Sequence, residues 1–157
     1  MQTLARALVW LLAIILGITV GAGLYEARVV VPVWATTPPN TWINTGTAFW
    51  AFVSTGPLTL TIVISLVAIW GYDGPARSWW LAALVIVILE RVATFTYFIP
   101  TMVWLQQQGR MSAEVSSTLA TWSFINHGRH VLAFAAWLLA LKALSLLSAA
   151  HKRVGNS

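Results

Sequence analysis

Four long apolar runs, each broken by few polar positions and separated by short groups of turn formers, dominate the chain. They cover about residues 8–33, 48–70, 78–104 and 118–147, and each reaches the roughly 20 apolar residues that a helix needs to cross a bilayer. The first run continues past Glu26 and Arg28 into Val29-Val30-Val31-Pro32. An uncharged stretch from Trp34 to Thr47 follows, with a turn at Pro38-Pro39-Asn40 and a short interfacial helix expected over Thr41 to Asn44. Gly71-Tyr72-Asp73-Gly74-Pro75 reads as a tight loop that makes the second and third runs antiparallel neighbours. The polar link Gln106 to Ser112 ends on a Ser placed to cap a helix with Glu114 in its first turn. The expected fold is all-α: an integral membrane four-helix bundle with antiparallel, up-down connectivity, forming one membrane domain over residues 1–157.

Composition sharpens this picture. The chain is 59% hydrophobic and 8% charged, a balance foreign to water-soluble domains of this size. It has no Cys, which excludes disulfides, iron-sulfur clusters, thiolate catalysis and c-type haem attachment. The net charge of +5 does not form a nucleic-acid patch, because the nine basic residues are spread singly apart from Lys152 and Arg153. They act as topology signals. Arg6, Arg77, Lys142, Lys152 and Arg153 fall on one side and Arg28 and Arg110 on the other, so both termini are expected in the cytoplasm, with a bacterial inner membrane as host. The hydrophobic run after Arg6 is too long for a signal-peptide core and is expected to remain uncleaved. Trp10, Trp34, Trp50, Trp70, Trp79, Trp80 and Trp104 sit at run ends, where indoles anchor at the headgroup level. Gly17 and Gly21 form a small-xxx-small pair expected to pack inside the bundle, and oligomerisation stays open.

Chemistry is expected at the ionisable groups left inside the runs, each of which costs about 2.5–3.5 kcal/mol to insert unless it is paired, wet or needed. Glu90, Thr94, Tyr97 and Thr101 recur at helical spacing on one face of the third run. On the fourth, Trp122, Asn126 and Arg129 form a line, with His127 and His130 as a neighbouring pair. Pro32, Pro57 and Pro100 should each bend a helix or free a carbonyl, opening a pocket lined by Tyr97, Asn126 and His127. Structural readings stand beside these. Glu90 and Arg91 can neutralise each other or bridge to Arg129, and Glu26 can pair with Arg28 at the interface. Two His on one helix cannot be the two axial ligands of a haem, and no Glu-x-x-His pair for a di-iron site exists. No cofactor is expected. A single metal ion held by His127, His130 and one Glu stays open as an alternative.

Three strings carry a resemblance: Gly21-Ala22-Gly23-Leu24-Tyr25-Glu26 with Pro32, Tyr97-Phe98-Ile99-Pro100, and Trp122-Ser123-Phe124-Ile125-Asn126-His127-Gly128-Arg129. Over nearly its whole length the chain resembles the anthrone-oxygenase-like family of small membrane proteins. The resemblance implies a four-helix membrane fold. For the few members with a known role, it also implies oxidation of an anthrone to an anthraquinone by molecular oxygen without an obvious cofactor. The chain departs from the pattern at Glu26, where an apolar or aromatic residue is expected, and at Thr101 and Met102, where an Asn is expected after the proline.

Two functions follow as expectations. The first is a membrane oxygenase or oxidoreductase whose partners are the lipid bilayer and a small lipophilic aromatic or phenolic substrate. His127 or His130 would act as base, Arg129 and Asn126 would stabilise the anion, and Trp122 and Tyr97 would stack on the ring, with Glu26, Glu90 and Arg91 completing the site. The second is a non-enzymatic binding or assembly subunit that holds a quinone or lipid. A cavity beside His127 favours the first; closure of Glu90, Arg91 and Arg129 on one another favours the second.

Overall fold

The computed structural model describes residues 2–42 and 49–155, and among them there is no β-strand. Among the described residues four helices are long and apolar enough to cross a membrane: α1 (Gln2–Trp34), α2 (Trp50–Trp70), α3 (Arg77–Gln106) and α4 (Ala113–Gly155). The protein is an all-α four-helix bundle. The expected start of the second run at Ala48, and the part of the expected interfacial helix beyond Trp42, lie outside the described residues. What is described of that helix is a 3-10 turn, Pro39–Trp42.

α4 is the central element, packing most extensively on α1 and α3, while α2 leans chiefly on α1. The reason is local. Ala136, Ala140 and Ala143 are fully buried on α4, and such small side chains let neighbouring backbones approach. Gly17 of α1 lies under the Trp137 ring and Gly23 under His130, so a Cβ at either would stand 3.1 Å or 2.8 Å from ring atoms. A Cβ at Gly21 would meet nothing within 4 Å, so the close approach uses Gly17 and Gly23 and not the pair expected from the sequence. Ser112 caps α4 as its position suggests: the Val115 amide donates to its hydroxyl at 3.2 Å and the Ser116 amide to its carbonyl at 2.9 Å.

Two apolar clusters fill the bundle, one around Leu12, Leu16, Leu58, Trp80 and Leu84, the other around Trp34, Trp42, Phe98, Leu105 and Trp122. Along α1, α3 and α4 the polar residues Glu26, Glu90 and Asn126 fall between the stretches that feed the two clusters. The outside is apolar as well: Phe52, Trp70 and Phe124 are each at least 80% exposed, which suits a lipid-facing surface and no aqueous one. Trp10 and Trp70 point outward like anchors, but Trp34 and Trp80 are buried core residues, a correction to the anchor reading. A buried indole and an interfacial one have the same position in sequence, at the end of an apolar run.

Each proline is met by the same device. Glu26–Val30, Trp50–Thr55 and Thr94–Phe98 are π-helical turns that end just before Pro32, Pro57 and Pro100. The residue preceding each proline donates its amide to a carbonyl five residues back: Val31 to Glu26, Gly56 to Ala51 and Ile99 to Thr94. Widening the turn relieves the proline ring's clash with the preceding turn without breaking the helix. α4 has no proline and runs on without a bulge.

Candidate functional site

The three π turns converge on one layer and meet α4 there. Glu26 opens the first turn, Trp50 the second and Thr94 the third, while Trp122, Asn126 and Arg129 come from α4 at intervals of four and three. Glu26 is buried, and its Oε1 accepts from Asn126 Nδ2 at 3.1 Å. Asn126 in turn accepts at Oδ1 from Arg129 Nε at 2.7 Å, so one amide is used from both ends. On the other flank Glu90, 2% exposed, takes a two-point bond from its neighbour Arg91, with Nε to Oε2 at 2.7 Å and Nη2 to Oε1 at 3.0 Å. The Thr94 hydroxyl lies 2.9 Å from the Glu90 carbonyl and 3.2 Å from its Oε1.

Arg129 joins the two halves. Its Nη1 stands 3.6 Å from Glu90 Oε1 and its Nη2 3.9 Å from Glu26 Oε1, close enough for ion pairing but too long for good hydrogen bonds. The guanidinium also lies 5.0 Å from the Phe98 ring centroid and 5.8 Å from that of Trp50. A guanidinium carries five N–H donors, and here only Nε makes a short bond among the described residues. The terminal nitrogens therefore retain donors for another oxygen.

Arg129 lines a cavity of about 320 Å³, whose walls also include Glu26, Trp50, Ser54, Phe98 and Trp122. Trp122 is held by its indole N–H, which donates to the Phe98 carbonyl at 3.2 Å, and its ring meets Phe98 edge-on at 5.7 Å. A second cavity of about 700 Å³ adjoins it and shares Glu26, Trp34 and Trp50. It extends along Ala22, Tyr25, Val29 and Val33 of α1.

The expected site residues divide cleanly. Glu26, Glu90, Arg91, Trp122, Asn126 and Arg129 come together. Tyr97, His127 and His130 do not line either cavity. His127 is exposed on the outside of α4, its Nδ1 2.7 Å from the Ser123 carbonyl. One residue of helix rotates a side chain by about 100°, so the neighbour of an inward Asn126 turns away from it. His130 packs against Gly23, and its Nε2 is buried without a hydrogen-bond partner among the described residues. Tyr97 is half-buried and meets Phe98 edge-on at 5.2 Å. The π turn explains its displacement: the extra residue in the turn moves the inward line from Glu90 and Thr94 on to Phe98 and Met102, in place of Tyr97 and Thr101. Glu26 bonds to Asn126 and not to Arg28, which is exposed.

Sequence reasoning missed Trp50, Ser54, Phe98 and Met102. The usable signal was proline: each π-turn carbonyl that receives the widened bond sits six residues before one. Among the described residues no three His, Asp or Glu side chains gather as a metal-holding group. Protein-family profiles, characterised proteins and solved structures give no match to this chain.

Proposed function

We propose that the protein is an intramembrane binding protein for a small lipophilic aromatic molecule, held in the cavity at Arg129. The observation that carries this reading is the pairing, in one aromatic-walled cavity at membrane depth, of a guanidinium with unspent donors and a carboxylate with unspent acceptor capacity. Buried charges that served only as structural glue would close fully on each other. Glu90 and Arg91 do so; Arg129 and Glu26 stay 3.9 Å apart, and both line the cavity. The proposed topology is up-down and antiparallel, with both termini cytoplasmic in a bacterial inner membrane. It is supported by the grouping of Arg6 beside Leu147, and of Lys142 over Trp79, at one end of the bundle.

The test is equilibrium binding of tritiated 1-naphthol to the protein in lipid nanodiscs. Saturable binding by the parent, weakened about tenfold or more in Arg129→Gln, supports the reading. Uptake no greater than that of empty discs sinks it. One observation favours a second reading, the anthrone-type oxygenase: Glu26 lines the same cavity as Arg129, and on that reading it would take a proton from a hydroxyl bound at Arg129, the role that sequence alone assigned to His127 or His130. On that reading Glu26→Gln binds an anthrone but consumes oxygen with it at least about 100-fold more slowly.

A further inference from the structure

We propose that the ligand is a neutral aromatic alcohol, a phenol or quinol, carrying a hydrocarbon tail, with its ring in the cavity at Arg129 and its tail in the adjoining chamber. This rests on the binding reading above and adds the chemistry of the ligand.

Charge selects the head group. Glu26 and Glu90 are balanced by Arg91 and Arg129 within one linked network. An anionic head would leave that layer with net negative charge at membrane depth, which is costly, whereas a neutral head leaves the balance intact. Hydrogen bonding narrows it further. Arg129 can only donate and the Glu26 carboxylate can only accept, so the head that satisfies both is a hydroxyl; a ketone or ester oxygen would serve Arg129 alone. Ser54 supplies an independent sign of a polar ligand atom. It is fully buried, lines the same cavity, and its hydroxyl has no hydrogen-bond partner among the described residues. The rings of Trp50, Phe98 and Trp122 on the cavity wall suit a flat ring between them.

The tail follows from the second chamber. It shares only Glu26, Trp34 and Trp50 with the first, and its α1 side is built from Ala22, Val29 and Val33. Val29 and Val33 are about half-exposed on the bundle's outer surface, which places the chamber's wall against lipid. A tail lying there leaves the bilayer sideways without crossing a polar layer, and the head passes Trp50 and Glu26 into the inner cavity.

The experiment uses tritiated 4-methylphenol, 4-decylphenol and decanoate, each at matched mole fraction in the lipid of nanodiscs holding the full chain. Ala22 and Val33 line the outer chamber alone; Ala22→Phe adds bulk there, and Val33→Trp repeats the test from a second position. The expected result has three parts: both phenols bind the parent saturably, decanoate binds about tenfold more weakly than 4-decylphenol, and each variant weakens 4-decylphenol about tenfold while changing 4-methylphenol less than about twofold. Decanoate binding as tightly as 4-decylphenol overturns the neutral head. Equal response of the two phenols to both variants overturns the tail placement, and the binding reading survives either result. Absence of saturable binding by all three probes overturns both.

Discussion

Removing Arg129 should orphan one carboxylate and not the other. Glu90 keeps its two-point bond to Arg91 at 2.7 and 3.0 Å, while Glu26 is left with Asn126 and no cation within pairing distance among the described residues. At 3.6 and 3.9 Å and an effective dielectric of about 20, each Arg129 contact is worth roughly 4 kcal/mol of attraction before desolvation is counted. Breaking a buried pair by deleting one partner costs about 3–5 kcal/mol, because a charge remains buried without compensation. Arg129→Leu is therefore expected to destabilise the bundle by about 3–5 kcal/mol, measured by SDS-induced unfolding in bicelles. Adding Glu26→Gln should restore most of that loss, since the amide keeps an acceptor for Asn126 and carries no charge. Adding Glu90→Gln instead should restore little and expose Arg91 to the same penalty. The reasoning is refuted if Arg129→Leu is as stable as the parent, or if Glu90→Gln rescues it as well as Glu26→Gln does.

Other expectations are simpler. Gly23→Ala should destabilise by about 1–3 kcal/mol because its Cβ meets the His130 ring at 2.8 Å, and His130→Ala in the same background should recover the loss in a detergent melt. Gly21→Ala, with nothing within 4 Å, should be neutral or stabilising by up to about 1 kcal/mol. His127→Gln should bind 1-naphthol like the parent, since the ring lies outside both cavities; a loss of about tenfold would return His127 to the site. Gln107 is exposed in the link between α3 and α4, and the background has no Cys. Gln107→Cys in intact cells should react with an impermeant thiol reagent; labelling only after the membrane is breached would reverse the topology.

The runs of apolar residues made four helices legible, and the line Trp122, Asn126, Arg129 was readable because α4 is an uninterrupted helix of constant period. The site's other half was harder. Pro32, Pro57 and Pro100 announce a disturbance, but not that three turns widen and thereby turn Glu26, Trp50 and Phe98 inward. A constant period of 3.6 carried the α3 line to Tyr97, one residue short of where the π turn delivers it. His127 misled through its place in the string beside Asn126, although adjacency along a helix separates side chains around it. Trp34 and Trp50 were indistinguishable from interfacial anchors, because what distinguishes them is the α4 surface they meet.

The most direct test of the central claim is to locate a bound ring. Photolysis of a diazirine-bearing phenol with the protein in nanodiscs, followed by peptide mass spectrometry, reads this out. Adducts are expected within residues 50–55, 94–103 and 122–129, suppressed by excess unlabelled 4-decylphenol and lost in Arg129→Gln. Adducts spread over lipid-facing positions such as Val67 and Trp70, unaffected by competitor and by Arg129→Gln, would contradict the claim.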